Sequence, residues 1–260
     1  MADTSILVQK NDHIARITLN RPSAENVINL QLGQELEDAC RQANQDDDVY
    51  VVVITGTGDV FCGGSELEKS FQSGKKRPSL EEMGTQYNIA TTVAGIEKPV
   101  VAGINGDALG QGLELALACD IRIASKKARF GFPNVALGLI PMDGGTQRLS
   151  RIVGKGKALE LIFTAEIIGA EEAREIGLVS KVVPSESLAT EVDALARSMA
   201  NKAPIALRYI KEAVNKGLDL TLEQGLRLEA DLYFLLHTTA DRTEGIQAFL
   251  QKRTPGFKGQ

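Results

Sequence analysis

A glutamate inside an otherwise apolar stretch is the residue of this sequence best suited to acid–base chemistry. Glu114 lies between Leu113 and the run Leu115-Ala116-Leu117-Ala118, and a helix that is apolar on every side is buried. A carboxylate removed from water must be paired, hydrogen-bonded or shifted in pKa, which is how proteins prepare a general acid or base. The plainer interpretation is a glutamate that stabilises the first turn of its helix through the dipole.

Two glycine-rich turns could supply hydrogen-bond donors beside this glutamate. Phe61-Cys62-Gly63-Gly64-Ser65-Glu66 follows one predicted strand, and Gly110-Gln111-Gly112 follows the next. Parallel strands place their carboxyl ends side by side, where ligands bind, and glycine permits backbone conformations that aim N–H groups at a ligand. Two N–H groups that converge on one oxygen form an oxyanion hole. Neither turn has the spacing of a nucleotide-binding motif.

The composition disfavours several other kinds of chemistry. The 260 residues include only two histidines, His13 and His237, which argues against histidine-ligated metals and histidine-based triads. The cysteines Cys40, Cys62 and Cys119 form no CxxC pair, so neither a disulfide framework nor structural zinc is expected. A net charge of −5 disfavours nucleic-acid binding. No apolar run is long enough for a membrane span and no secretory leader is evident, so we expect a cytoplasmic protein.

The elements that must position Glu114 and the two turns alternate between strands and helices. The pattern predicts a hairpin over 6–19, helices over 30–46, 79–96 and 113–119, and strands over 50–55, 98–104, 120–125 and 178–183. This alternation indicates an α/β core with parallel pairing. Residues 130–141 are predicted to be irregular, and the chain is predicted to be helical from 186. We therefore predict a core over 1–195, a C-terminal helical region over 196–260, and a mobile tail from Thr254.

Five segments resemble the signature of the enoyl-CoA hydratase/isomerase (crotonase) family. They are the turn at 61–66, Ile104-Asn105-Gly106 through Cys119-Asp120, Ile140-Pro141 through Arg148-Leu149, 169–179, and 241–253. The resemblance extends from Ile17 to Phe257 in the family's order. It implies a crotonase-type spiral of ββα units, a C-terminal trimerisation region, and homotrimers or dimers of trimers. It also implies acyl-CoA thioester substrates, with coenzyme A as part of the substrate and no separate cofactor or metal.

The resemblance implies a role for individual residues. The backbone N–H groups of Ser65 and Gln111 would hold the thioester oxygen, and Glu114 matches the first catalytic glutamate of the hydratases. Phe249 and Lys252 would reach the coenzyme A of a neighbouring subunit. The substrate-binding set expected on the same ground is Gly63, Gly64, Glu66, Leu67, Gly110, Pro133, Pro141, Phe249 and Lys252. The basic run Lys75, Lys76 and Arg77 is either a further phosphate contact or a solvated loop.

Three positions bear on the reaction type. Gln111 stands where the family usually has glycine, so its side chain would narrow the pocket or add a polar contact. Asn134 stands where the hydratases carry a second catalytic glutamate, and an amide has no proton to give at neutral pH. Asp143 resembles an acidic residue of the family's dienoyl-CoA isomerases, although it could simply cap the helix that begins near Gly144.

These residues leave three functional hypotheses. The leading one is reversible hydration of an enoyl- or dienoyl-CoA, with Glu114 as general base and acid, Asn134 holding the water, and an oxyanion hole at Ser65 and Gln111. The second is isomerisation of a dienoyl- or enoyl-CoA with proton transfers shared by Glu114 and Asp143. The third is a non-catalytic acyl-CoA-binding module. In each case we expect the acyl pocket to be walled by residues 66–90 and the C-terminal helices.

Overall fold

The computed structural model describes residues 4–66 and 88–260. The strands are β1 (Ile6–Asn11), β2 (Ile14–Leu19), β3 (Val51–Gly56), β4 (Val60–Cys62), β5 (Val100–Ile104), β6 (Asp107–Leu109), β7 (Ile121–Ser125), β8 (Arg129–Gly131), β9 (Ile167–Gly169) and β10 (Lys181–Val183). The helices are α1 (Leu30–Gln45), α2 (Ile89–Ala94), α3 (Gln111–Ala118), α4 (Gly145–Val153), α5 (Lys155–Thr164), α6 (Ala170–Glu175), α7 (Leu188–Ala200), α8 (Pro204–Gly217), α9 (Leu222–Leu236) and α10 (Ala240–Gln251).

The strands form two sheets. The larger has the order β1-β2-β3-β5-β7-β10 and the smaller the order β4-β6-β8-β9. Pairing is parallel except for the β1–β2 hairpin and the β8–β9 pair. Each of the pairs β3/β4, β5/β6 and β7/β8 sends its first strand to the larger sheet and its second to the smaller. This repeated path is the spiral that the resemblance implied, and the predicted fold class is confirmed.

Successive turns of the spiral pack so closely that their backbones are in contact at two glycines. A Cβ atom added to Gly106 would lie 1.8 Å from the carbonyl oxygen of Asp59, and one added to Gly112 would lie 2.1 Å from that of Cys62. Neither position has room for a side chain, because the opposing atoms belong to the backbone. Glycine at these two positions therefore sets how closely β6 and α3 sit on β4.

The smaller sheet is where the structure departs from the sequence-based expectation. β4 and β6 lie within segments that we expected to be loops, and β8 lies at the start of the stretch expected to be irregular. Each has three residues, which is too short for an alternating pattern to be recognised. Of the helix expected over 79–96, the described residues contain α2.

Helix α7 covers one face of the larger sheet. Its buried residues Leu188, Val192 and Ala196 form an apolar cluster with Val53 of β3 and Val101 of β5. The helix crosses residue 195, where we placed the boundary between the core and the helical region. The division into those two parts stays a prediction.

The remaining C-terminal helices expose apolar side chains. Ile210 and Val214 on α8, Tyr233 and Phe234 on α9, and Phe249 on α10 are all exposed. None of the helices in the part of the chain that the structure describes combines the length and apolar character needed to cross a membrane.

The tail after α10 is tied back onto that helix, contrary to the expectation of a mobile tail. The buried carboxylate of Asp241 accepts hydrogen bonds from the N–H groups of Lys258 (2.7 Å) and Gly259 (2.8 Å). The N–H of Asp241 donates to the carbonyl of Gln260 at 3.1 Å. Backbone pairing with a side chain 17 and 18 residues away leaves no local pattern in the sequence.

Candidate active site

Helix α3 carries Glu114 into the interior. All eight residues of this helix are buried, as its apolar character predicted. It starts abruptly after Gly110, whose φ of 52° and ψ of −124° suit glycine and few other residues. The hydrogen bonds within the helix begin with donation from Leu113 and Glu114 to the carbonyl of Gly110. The N–H of Gln111, the first residue of the helix, therefore lies ahead of this ladder at the positive end of the dipole.

The direction of the Ser65 N–H in the turn after β4 is set by a parallel bridge between Ser65 and Ile28. The N–H of Ile28 donates to the carbonyl of Gly64 at 2.9 Å, and its carbonyl accepts from the N–H of Glu66 at 2.8 Å. In a parallel bridge of this kind the residue between those two groups directs its own N–H to the opposite side. The N–H of Ser65 therefore points away from Ile28. Gly64 has a φ of 108°, which again requires glycine.

Pairing in the smaller sheet brings the two turns together. β4 and β6 are parallel neighbours, with Cys62 opposite Ala108, so the residues that follow them leave the sheet at the same edge. The backbone of Cys62 also lies against Gly112. Ser65 and Gln111 are thus placed on adjacent turns, in keeping with the expected pair of donors. Their joint action on one oxygen stays a prediction.

Glu114 is oriented by a loop from a distant part of the chain. Its Oε1 atom accepts hydrogen bonds from the N–H groups of Asp143 at 2.7 Å and Gly145 at 2.8 Å. These two N–H groups and the position in the first turn of α3 make an ionised carboxylate tolerable in a buried setting. Glu114 is therefore both buried and held in one orientation, which a general base requires.

Asp143 caps a helix, although not the one we expected. Its Oδ1 atom accepts from the N–H (3.1 Å) and the hydroxyl (2.7 Å) of Thr91, and its Oδ2 accepts from the N–H of Ala90. These donors belong to the first turn of α2. The cap position of α4 is occupied by Gly144, which makes no side-chain cap. Burial raises the pKa of the Asp143 carboxyl, and the bonds from Thr91 and Ala90 partly oppose that effect.

Asn134 and the two prolines lie around the same loop. Asn134 is buried in the 3₁₀ turn Pro133–Leu137, where its carbonyl accepts from the N–H of Leu139. Phe132, which precedes this turn, and Pro141 both approach Gly145 closely. The segment that carries Asn134 therefore packs on the loop that orients Glu114.

Three residues that hold the loop around Asp143 and Gly145 were not predicted from the sequence. Thr91 lies in α2, outside every motif, and nothing in its neighbourhood marks it. Arg148 donates to the carbonyl of Asp143 at 2.5 Å, and Phe132 packs on Gly145. Arg148 lies within one of the recognised segments, so its motif could have drawn attention to it.

The remaining predicted binding residues are dispersed. The N–H of Gly63 donates to the carbonyl of Glu25 at 3.0 Å, and Glu66 forms an ion pair with Arg21 at 2.8 Å. Phe249 and Lys252 are exposed at the end of α10, and within the described residues no hydrogen bond joins them to the loop at Glu114. Leu67 and the run Lys75, Lys76 and Arg77 lie outside the described residues. Those described contain no group of three or more His, Cys, Asp or Glu side chains placed to hold a metal ion.

Comparison with known proteins shows what this arrangement is similar to. A family model described as enoyl-CoA hydratase/isomerase matches residues 9–260. A crotonyl-CoA hydratase from Syntrophomonas wolfei is 40% identical over 259 residues, with 99% of each chain covered. A 2,3-dehydroadipyl-CoA hydratase from Escherichia coli is also 40% identical, over 257 residues, with 99% of this chain and 100% of the relative covered.

A solved structure agrees with the sequence relatives. The crystal structure of an enoyl-CoA hydratase from Bacillus anthracis matches with a TM-score of 0.94 at 40% identity, covering 98% of this chain and 100% of that one. The chain belongs to the enoyl-CoA hydratase/isomerase family. It is therefore an enzyme of the hydratase/isomerase type with a crotonase fold, and the hypothesis of a non-catalytic module is not supported.

Proposed function

We propose that this hydratase/isomerase family member reversibly hydrates an α,β-unsaturated acyl-CoA thioester, with Glu114 as its general base and acid. The observation that carries the proposal is the placement of Glu114. Its carboxylate is buried one turn after Gln111, and two backbone N–H groups fix its Oε1 atom. Relatives named as hydratases, at 40% identity over nearly the whole chain, support hydration as the reaction.

The proposed chemistry uses one carboxylate and the backbone. Glu114 removes a proton from water, and the resulting hydroxide adds to the β-carbon of the substrate. Negative charge then moves through the α-carbon to the thioester oxygen, where the N–H groups of Ser65 and Gln111 stabilise it. Glu114, now protonated, returns the proton to the α-carbon. The Asn134 amide is a candidate to hold the water, because it can donate and accept hydrogen bonds without a proton transfer.

The isomerase hypothesis receives no support from the position of Asp143. Both oxygens of that carboxylate accept hydrogen bonds from the first turn of α2, an arrangement that suits a helix cap. The acyl group remains open, because the two hydratases at 40% identity differ in the acyl group that they are named for.

The exposed apolar side chains on α8, α9 and α10 support the homotrimer, or dimer of trimers, implied by the family resemblance. A contiguous apolar surface is rarely left in water. We propose that a second copy covers this surface and that Phe249 and Lys252 reach the coenzyme A held by that copy. Sedimentation equilibrium would give the number of subunits.

The direct test is turnover of crotonyl-CoA, followed by loss of the absorbance of the conjugated thioester. Glu114→Gln should lower kcat by at least about 10²-fold, as expected when a general base is removed. Glu223→Gln is a matched control, because Glu223 also lies in the first turn of a helix but is exposed, and its kcat should equal that of the wild type.

The outcomes separate the hypotheses. Hydration of crotonyl-CoA by the wild type, lost in Glu114→Gln and kept in Glu223→Gln, supports the proposal. A Glu114→Gln variant that turns over at the wild-type rate removes Glu114 from the mechanism. A panel of enoyl-, dienoyl- and cyclic dienoyl-CoA esters would then identify the acyl group, and calorimetric binding without turnover of any ester would overturn hydration.

A further inference from the structure

Asp143 contacts two parts of the molecule at once. Its backbone N–H donates to Glu114 at 2.7 Å, while its carboxylate accepts from Ala90 and Thr91 in the first turn of α2. Asn88, the residue at the cap position of α2, makes no side-chain cap. Asp143 thus provides, from 52 and 53 residues away, the acceptor that the first N–H groups of a helix need.

Two further contacts hold the same loop. The guanidinium of Arg148 donates to the carbonyl of Asp143 at 2.5 Å. Gly145 is packed so tightly that an added Cβ would lie 2.6 Å from Pro141 and 2.7 Å from Phe132. Because this loop supplies two N–H groups to the Oε1 atom of Glu114, the orientation of Glu114 depends on where the loop is held.

We propose that Asp143 is a positioning residue that orients Glu114 by anchoring the 141–145 loop to α2, and that it exchanges no proton with substrate. The proposal rests on the proposed role of Glu114. Three donors on its two oxygens suit a carboxylate that fixes a loop. A group that exchanged a proton with substrate would have to present an oxygen to it, whereas both oxygens of Asp143 are directed at donors in the first turn of α2.

The principal test is Asp143→Asn, which keeps the size of the side chain and the backbone N–H. One oxygen becomes an NH2 group that faces either the N–H of Ala90 or the N–H of Thr91, so at least one of the three bonds is lost and the anchor is weakened. We expect kcat for crotonyl-CoA to fall by about 10- to 100-fold, the range expected when a catalytic group is slightly misplaced. KM should stay within about twofold of the wild-type value, because substrate contacts are unchanged.

A milder pair of variants tests the anchor from the side of α2. Thr91→Val removes the hydroxyl that donates at 2.7 Å, and the loss of one hydrogen bond should lower kcat by about fivefold. Thr91→Ser keeps the hydroxyl and should restore kcat. An unchanged kcat in Thr91→Val would overturn the proposal, and this pair serves even if Asp143→Asn does not fold.

Asp241→Asn controls for the loss of a buried carboxylate, since Asp241 also accepts from backbone N–H groups but lies in α10 and binds the C-terminal tail. It should lower stability and leave kcat unchanged. The variant Glu114→Gln/Asp143→Asn then separates positioning from proton transfer. If Asp143 acts through Glu114, the double variant is no slower than Glu114→Gln alone.

Two outcomes would count against the positioning role. One is a wild-type kcat in Asp143→Asn, and the other is a double variant in which the two losses multiply, because independent losses indicate independent action. A wild-type enzyme that hydrates no CoA thioester would instead contradict the proposed function.

Discussion

Glu114 and Asp241 are two buried acidic residues that solve the same physical problem in different ways. Each lies in the first turn of its helix, and each accepts two backbone N–H groups from a distant segment. The bonds to Asp241 are divided, with Lys258 on Oδ1 and Gly259 on Oδ2. Both bonds from the 141–145 loop to Glu114 go to a single oxygen, Oε1.

The difference distinguishes two uses of a buried carboxylate. Asp241 holds another segment in place, whereas Glu114 is itself oriented by another segment. When backbone donors occupy both oxygens, the side chain serves to hold its donors in place, as Asp241 holds the tail. When the loop uses one oxygen only, it sets the orientation of the group and does not determine what the second oxygen faces. By this criterion Asp143, with donors on both oxygens, belongs with Asp241.

Among variants that leave all three carboxylates in place, the largest effect should come from disturbing the loop that orients Glu114. In Gly145→Ala the new methyl would collide with Pro141 and Phe132, and overpacking of this kind costs about 1–3 kcal/mol. The N–H of residue 145 must move, so we expect kcat for crotonyl-CoA to fall by about 10-fold or more.

The control for that variant is Gly156→Ala in α5, where an added Cβ meets nothing within 4 Å. Alanine there should leave kcat unchanged and should not lower the melting temperature. A Gly145→Ala enzyme with normal turnover would show that the orientation of Glu114 does not depend on the N–H of residue 145.

An intermediate effect, on stability alone, should follow from Asp241→Asn. One of the two backbone N–H groups loses its acceptor inside a buried site, which costs about 1–3 kcal/mol. Urea unfolding should show the loss as a lower midpoint, with kcat at the wild-type value. A change in kcat without a change in the midpoint would show that Asp241 affects turnover and does not serve to hold the tail.

The smallest effect is expected at the surface of the tail. Arg253 and then the N–H of Gly256 lower the pKa of Glu244 from 4.5 to about 2. A carboxyl with a depressed pKa stabilises the fold above its ordinary pKa, and this contribution is lost as pH falls from 4.5 to about 2. Glu244→Gln should therefore reduce stability slightly at neutral pH, and the difference from the wild type should vanish near pH 2.

The check is the melting temperature of both proteins across that range. Because the ion pair between Glu244 and Arg253 is partly exposed to solvent, added salt should reduce the difference. A difference that grows on acidification would show that the ion pair with Arg253 does not stabilise the tail.

Features that depend on residues close together in the sequence could be predicted. The apolar run around Glu114 predicted a buried helix, and the glycines at 64 and 110 marked turns with unusual backbone angles. Both inferences hold in the structure. The motif order also predicted the spiral, because the resemblance covered nearly the whole chain.

Features that depend on pairing between distant residues were not predicted. The three-residue strands β4 and β6 owe their existence to each other and to Gly106 and Gly112 rather than to a local pattern. Capping of the adjacent helix was one of two interpretations of Asp143, yet its partner is α2. Thr91 gave no signal, and the family segment that begins at Asp241 did not indicate that its carboxylate binds the tail, because these partners meet only in the folded chain.

The proposed donors that follow β4 and β6 belong to the backbone, and this affects how well mutagenesis can detect the site. The groups proposed to polarise the thioester are peptide N–H groups, and replacing a side chain leaves a peptide N–H in place for every residue except proline. A saturation scan would therefore record a strong phenotype at Glu114 and at the glycines that shape the turns, and a weaker one at Ser65 and Gln111. Chemical synthesis could replace the amide by an ester at those two positions. This change removes the backbone N–H group that a side-chain substitution leaves in place, and so tests its contribution directly.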